Sequence, residues 1–161
     1  MSRVFITVVC FSAACLSTMA ACSRTFPGDE PSPLNQDRFA CVDVDLENSR
    51  QVTFADSTLG SGNEMTGSCG GERAPERVYL WEVPADGIYR IETTGSGFDT
   101  VLYLFNGGCS ADEVVCNDDA PGADVETSVI DIEAEAGAQL VIAVDGWDRG
   151  EGSFQLRITP R

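Results

Sequence analysis

The chain has 161 residues, 26 of them acidic and 10 basic, with no histidine, a formal net charge of −16 and arginine as its only base. Such a balance repels nucleic acid phosphates and anionic lipid head groups, which excludes both as partners bound through charge. Without histidine or lysine, serine catalysis by a histidine-assisted or lysine-assisted nucleophile is excluded as well.

Residues 4–21 are almost uninterrupted apolar or small and follow a lone Arg3. This layout predicts a secretory signal over residues 1–21, and Ser12, Ser17 and Thr18 weigh against a retained membrane helix. The run Met19-Ala20-Ala21-Cys22-Ser23 resembles the lipobox of bacterial lipoproteins. That resemblance implies lipidation of the Cys22 thiol and, because Ser23 is not aspartate, delivery to the outer membrane. Residues 22–39 then form the anchored cysteine and a tether, with Pro27, Gly28, Pro31 and Pro33 opposing any packed element. Extended, the tether reaches roughly 50 Å. Residues 40–161 have the size of one domain with one core.

Within that domain apolar residues recur with period two in short runs bounded by Gly, Pro, Asn and Asp, which predicts an all-β fold. Opening strands are expected over 41–46 and 51–54. Residues 77–83 alternate Tyr79, Trp81 and Val83 against Val78, Leu80 and Glu82, and stop at Pro84. Asp86-Gly87 then predicts a turn and a hairpin with residues 88–93. Residues 98–105 are apolar on both faces, as in the interior strand of a sandwich. Runs at 125–134, 139–145 and 152–159 complete about eight strands, the number of an antiparallel β-sandwich of jelly-roll type. Residues 57–75, rich in Gly and Ser, read as a long loop tied down by Cys69.

Four cysteines lie beyond Cys22, an even number that fits a disulfide framework in an oxidising compartment. Three pairings exist. Proximity favours Cys109 with Cys116, leaving Cys41 with Cys69, worth roughly 2.5 and 3.5 kcal/mol by loop closure. Zinc is disfavoured, because no CxxC pair and no histidine are present.

Between Arg90 and Arg149 the chain has 13 acids and no base. Asp99, Asn117, Asp118, Asp119 and Asp145 lie at strand ends and turns where loops can converge, and their oxygens suit Ca2+, with Asp124 as a further ligand. In turns the same residue types also bond to nearby backbone amides. No carboxylate pair stands out for glycoside hydrolysis. Trp147 sits in a Gly- and Asp-rich loop, where it and Tyr103 are candidates for stacking a ligand; Tyr79 and Trp81 read as core.

Ser68-Cys69-Gly70-Gly71, the run from Val78 to Trp81, Pro84-Ala85-Asp86-Gly87-Ile88-Tyr89, the run from Phe98 to Leu104, Cys116-Asn117-Asp118-Asp119 and Val144-Asp145-Gly146-Trp147 occur in that order. Together they resemble the bacterial pre-peptidase C-terminal domain, which is similar to the collagen-binding modules of secreted collagenases. The resemblance implies a noncatalytic sandwich in the cell envelope that binds protein or polysaccharide, with calcium as a stabilising ion. An accessory subunit of a separate secreted enzyme and a carboxylate-based hydrolase are the alternatives.

Overall fold

A computed structural model describes residues 37–121 and 126–161 of the chain. The expected signal segment, Cys22 and nearly all of the tether lie outside the described residues. Among the described residues nine strands are formed: β1 (Val44–Asp45), β2 (Val52–Ser57), β3 (Arg77–Glu82), β4 (Gly87–Thr94), β5 (Thr100–Asn106), β6 (Glu113–Asn117), β7 (Val129–Ala134), β8 (Gln139–Gly146) and β9 (Ser153–Pro160). They make a five-stranded sheet in the order β1-β3-β8-β5-β6 and a four-stranded sheet in the order β2-β9-β4-β7. Every pairing is antiparallel except the short β1 with β3. Counting eight strands from β2, the sheets read 2-7-4-5 and 1-8-3-6, which is the jelly-roll order.

The two sheets enclose a core set by the period-two rows of the sequence. Tyr79, Trp81, Leu102, Leu104, Leu140, Ile142 and Val144 from one sheet meet Val52, Tyr89, Ile91, Ile130, Phe154, Leu156 and Ile158 from the other. Each large side chain so buried contributes roughly 1.5–3 kcal/mol. The polar ends of the core aromatics are satisfied, Trp81 Nε1 donating to Ser49 O at 2.9 Å and Tyr89 Oη to Ala85 O at 2.7 Å.

A second apolar layer lies on the outer face of the five-stranded sheet. Val78, Val101, Tyr103, Phe105, Val141 and Ala143 are covered there by Met65, Phe39, Cys41, Val42, Cys69, Ala111 and Cys116. Strands β5 and β8 are therefore buried on both faces, which is why they read as continuous apolar runs. Loop 58–76, which supplies part of the cover, is closed on itself by the Gly67–Gly70 bridge.

Four expectations are corrected. Residues 77–83 and 88–93 form no hairpin: β3 pairs with β1 and β8, while β4 pairs with β7 and β9. The apolar faces of β3 and β4 look at each other across the core, with the rings of Trp81 and Tyr89 5.0 Å apart at an edge-on 76°. The turn at Asp86-Gly87 thus carries the chain from one sheet to the other. The opening strand of 41–46 shrinks to β1, and the interval between Cys109 and Asn117 contains strand β6 rather than only a loop.

The cysteine pairing is the fourth. The bonds are Cys41–Cys109 and Cys69–Cys116, not Cys109–Cys116 and Cys41–Cys69. Strand pairing sets Cys116 opposite Tyr103, whereas Cys109 lies in the loop beyond Asn106, at the far end of β5. Three strand steps lead from Tyr103 to Asn106, about 10 Å at 3.3 Å each, and a disulfide needs Cα atoms within about 7 Å. Each cysteine instead meets one in a covering segment that passes over it.

Candidate functional site

Three groups of polar side chains flank one end of the five-stranded sheet. The first is a cleft of about 460 Å³ lined by Gly67 to Arg73 on one side and by Trp147 and Asp148 on the other. Strand β8 ends at Gly146, and the chain turns back at once, with Gly150 N–H donating to Trp147 O at 2.8 Å and Trp147 N–H to Asp99 O at 2.9 Å. A Cβ at Gly146 would collide with the backbone of Gly150, so this turn requires glycine. Asp148 takes a left-handed φ of 55° within it. The turn leaves the Trp147 ring 49% exposed, with its edge against Gly70. Across the rim the Arg73 guanidinium stands 4.0 Å from the Asp148 carboxylate.

Beneath the cleft wall lies the second group. Asp145 is fully buried and accepts two hydrogen bonds, from Tyr103 Oη at 2.9 Å and from Gly146 N–H at 2.7 Å. Gly71, at φ 91°, rests on it so closely that a Cβ would run into its carboxylate. Burial pushes the Asp145 carboxyl up to about 7; its two hydrogen bonds oppose the rise and the charge of Glu76 adds to it. Glu76 is 4% exposed. Its Oε1 accepts the amides of Glu64 at 2.7 Å and Met65 at 3.1 Å, while Oε2 has no hydrogen-bond partner. Burial raises the Glu76 carboxyl above the usual range despite those amides.

The third group is Asp99, Asp118 and Asp119. One carboxylate oxygen of Asp99 and one of Asp118 are buried without a hydrogen-bond partner among the described residues. Burial first, then the charges of Asp119 and Glu126, raise the Asp99 carboxyl; burial, then Asp99 and Asp119, raise that of Asp118. Asn117 braces the turn, its Oδ1 accepting Val129 N–H at 2.8 Å and its Nδ2 donating to Asp119 O at 3.0 Å.

Of the residues expected to ligate calcium, Asp99 feels the charge of Asp119 and Asp118 the charges of Asp99 and Asp119, the Asn117 side chain serves as a brace, and Asp145 is buried under the cleft. The Asp145 carboxylate is already engaged by Tyr103 and Gly146. Asp124 lies outside the described residues. Among the described residues no group of three or more His, Cys, Asp and Glu side chains is arranged to hold a metal ion. Tyr103 is corrected as a stacking residue: it is wholly buried, its ring edge-on to Phe105 at 5.8 Å. Trp147 stays open to solvent. Arg73 and Glu76 were not singled out from the sequence, since each sits in an irregular loop whose path no periodicity reveals.

No protein-family model matches the chain, and no curated protein matches it. Among solved structures it is similar to the pre-peptidase C-terminal domain of a collagenase from Bacillus anthracis, at 15% identity and a TM-score of 0.50. The alignment covers 73% of this chain and 96% of that one. It is also similar, at 14% identity and a TM-score of 0.43, to PliG of Aeromonas hydrophila, a periplasmic inhibitor of g-type lysozyme, over 69% of this chain and 84% of that one. The chain is thus an all-β sandwich with the pre-peptidase C-terminal domain fold. Its two disulfides are of the kind that persists in exported proteins.

Proposed function

We propose that this chain is a noncatalytic binding module of the bacterial cell envelope that captures a protein or polysaccharide ligand in the Trp147 cleft. The observation that carries this reading is Trp147 itself, half exposed beside a cleft of about 460 Å³. Pockets of roughly 300–1,000 Å³ with an aromatic wall and a few placed polar groups are typical of ligand sites. The absence of histidine and lysine and the engagement of all four domain cysteines in disulfides support a noncatalytic role. In this reading residues 1–21 direct export, Cys22 carries the lipid and residues 22–39 hold the domain off the outer membrane.

Calcium is the ion this reading assigns to Asp99, Asp118 and Asp119. Two orphaned carboxylate oxygens among mutually repelling acids fit a hard cation, which prefers oxygen ligands. Bound there, it would neutralise the cluster and fix the loop after β6 against the start of β5.

The test is capture of envelope polysaccharides and proteins by the native protein, compared with Trp147→Ala. Loss of capture in the variant with an unchanged melting temperature supports the module, and equal capture by both proteins refutes the cleft as the site. Fatty-acid labelling that disappears in Cys22→Ser tests the anchor.

A further inference from the structure

The chemistry of the cleft separates its two ligand classes. A peptide that binds as an added strand needs free backbone donors and acceptors along an edge. Over Gly67 to Gly70 the amides of the wall are taken: Gly67 and Gly70 exchange hydrogen bonds at 3.1 and 3.4 Å, Ser68 N–H donates to Glu113 at 2.7 Å, and Cys69 N–H to Cys116 Sγ at 3.2 Å, which leaves strand addition only the short remainder from Gly71 to Arg73. The wall has glycines at 67, 70 and 71, which present backbone rather than side chains to the cleft.

Besides Ser68 and Glu72, three features of the cleft face the solvent: the indole of Trp147, the guanidinium of Arg73 and the carboxylate of Asp148, the last two with 64% and 68% of their side chains exposed. At 4.0 Å and this exposure their mutual attraction is weak, so both remain open to other partners. An indole face carries a negative quadrupole and attracts the polarised C–H groups of a flat sugar face. A planar guanidinium supplies paired donors and a carboxylate paired acceptors, which suits vicinal hydroxyls that both donate and accept. With Glu72, Arg73 and Asp148 on its rim the cleft has net charge −1, in a chain of −16, which disfavours acidic sugars.

Resting on the binding-module reading, we infer that the cleft is a subsite for a neutral saccharide, stacked on Trp147 and hydrogen-bonded by Arg73 and Asp148.

The experiment is an isothermal calorimetric titration of the full chain with cellohexaose, laminarihexaose and chitohexaose, with hexagalacturonate and gelatin as comparators. The protein has two tryptophans, and Trp81 is fully buried, so a parallel saturable change in the emission of the native protein places the ligand at Trp147. The expected result is saturation with at least one neutral hexasaccharide, abolished in Trp147→Ala, weakened at least tenfold in Arg73→Ala and in Asp148→Ala, and at least tenfold weaker for hexagalacturonate. The two rim variants alter exposed side chains and keep the test valid should Trp147→Ala fail to fold. No response to any of the three neutral sugars overturns the proposal. If gelatin binds instead and Trp147→Ala abolishes it, the saccharide assignment falls while the module stands. Should neither class bind, both fall.

Discussion

The Tyr103 hydroxyl donates to Asp145 Oδ2 at 2.9 Å in the apolar layer between the five-stranded sheet and the loops that cover it. Glu76 faces the same layer from the end of loop 58–76, and Gly71 lies directly on the Asp145 carboxylate. Two buried acids therefore sit under the wall of the cleft, and their protonation is coupled to how that loop packs.

Stability should fall as pH rises from about 4 to about 7. Asp145, Glu76, Asp99 and Asp118 all have carboxyls raised by the fold, Asp145 to about 7, so the native state retains protons that the unfolded chain has released. Their contribution is fully present below the unfolded values of 3.8 and 4.5 and is lost as pH climbs through the folded ones. The acids with lowered carboxyls, Asp56 and Asp131, act in the opposite sense, but only below 3.8. Urea midpoints measured without calcium should therefore peak near about pH 4; a midpoint that rises steadily to pH 8 contradicts this balance.

Asp145→Asn isolates the largest of these effects. The amide keeps an acceptor for Tyr103, loses the one for Gly146 N–H at a cost that does not vary with pH, and cannot ionise, so relative to the parent the variant should gain roughly 2 kcal/mol between pH 5 and pH 8. Denaturant unfolding at the two pH values gives the difference directly, and parallel behaviour of the two proteins would refute a high Asp145 carboxyl.

Gly71→Ala should be more harmful than Gly60→Ala. Both residues have left-handed φ, 91° and 74°, and share that penalty of roughly 1–2 kcal/mol. Only at Gly71 does the added methyl meet the Asp145 carboxylate, whereas nothing lies within 4 Å of one at Gly60. The excess loss in the Gly71 variant measures how closely the cleft wall rests on Asp145; equal losses would show that the contact is relieved freely.

Calcium should raise the melting temperature, and Asp99→Asn with Asp118→Asn should abolish the increment while raising the metal-free value. At a hundredfold excess over Kd the increment is about 2.7 kcal/mol. The metal-free gain follows from removing charges that burial and mutual repulsion disfavour. Calorimetry with calcium and with chelator checks both, and a melting temperature indifferent to calcium removes the ion from the reading.

Digestion without reduction should yield peptides linked Cys41 to Cys109 and Cys69 to Cys116. Closing loops with sequence separations of 68 and 47, each bond is worth about 4 kcal/mol by chain entropy. Cys69→Ala with Cys116→Ala should also speed hydrogen exchange in loop 58–76, because that bond pins the loop over Tyr103.

What could be read without coordinates was local. Alternation at Tyr79 and Trp81 marked one core face, and the apolar run from Val101 to Phe105 marked a strand covered on both sides. Trp147 in its glycine turn was recognisable as a ring with little core around it. The turn at Asp86-Gly87 joins two sheets rather than a hairpin because a turn signal reports that the chain reverses, not which sheet it then joins. Strand β6 was missed because Glu113 to Asn117 is short, half-exposed and interrupted by Cys116.

By itself, then, the sequence determined the all-β class, most of the strands and the acidity of the chain, since each depends on residues a few positions apart. Only the tertiary structure decided which cysteines meet, that Asp145 lies beneath a loop wall rather than beside Asp99 and Asp118, and that Arg73 faces Asp148 across a cleft beside Trp147. Those relations join segments tens of residues apart. They follow from strand order and from which face a side chain takes, and a pattern of period two leaves both open until the sheets pack.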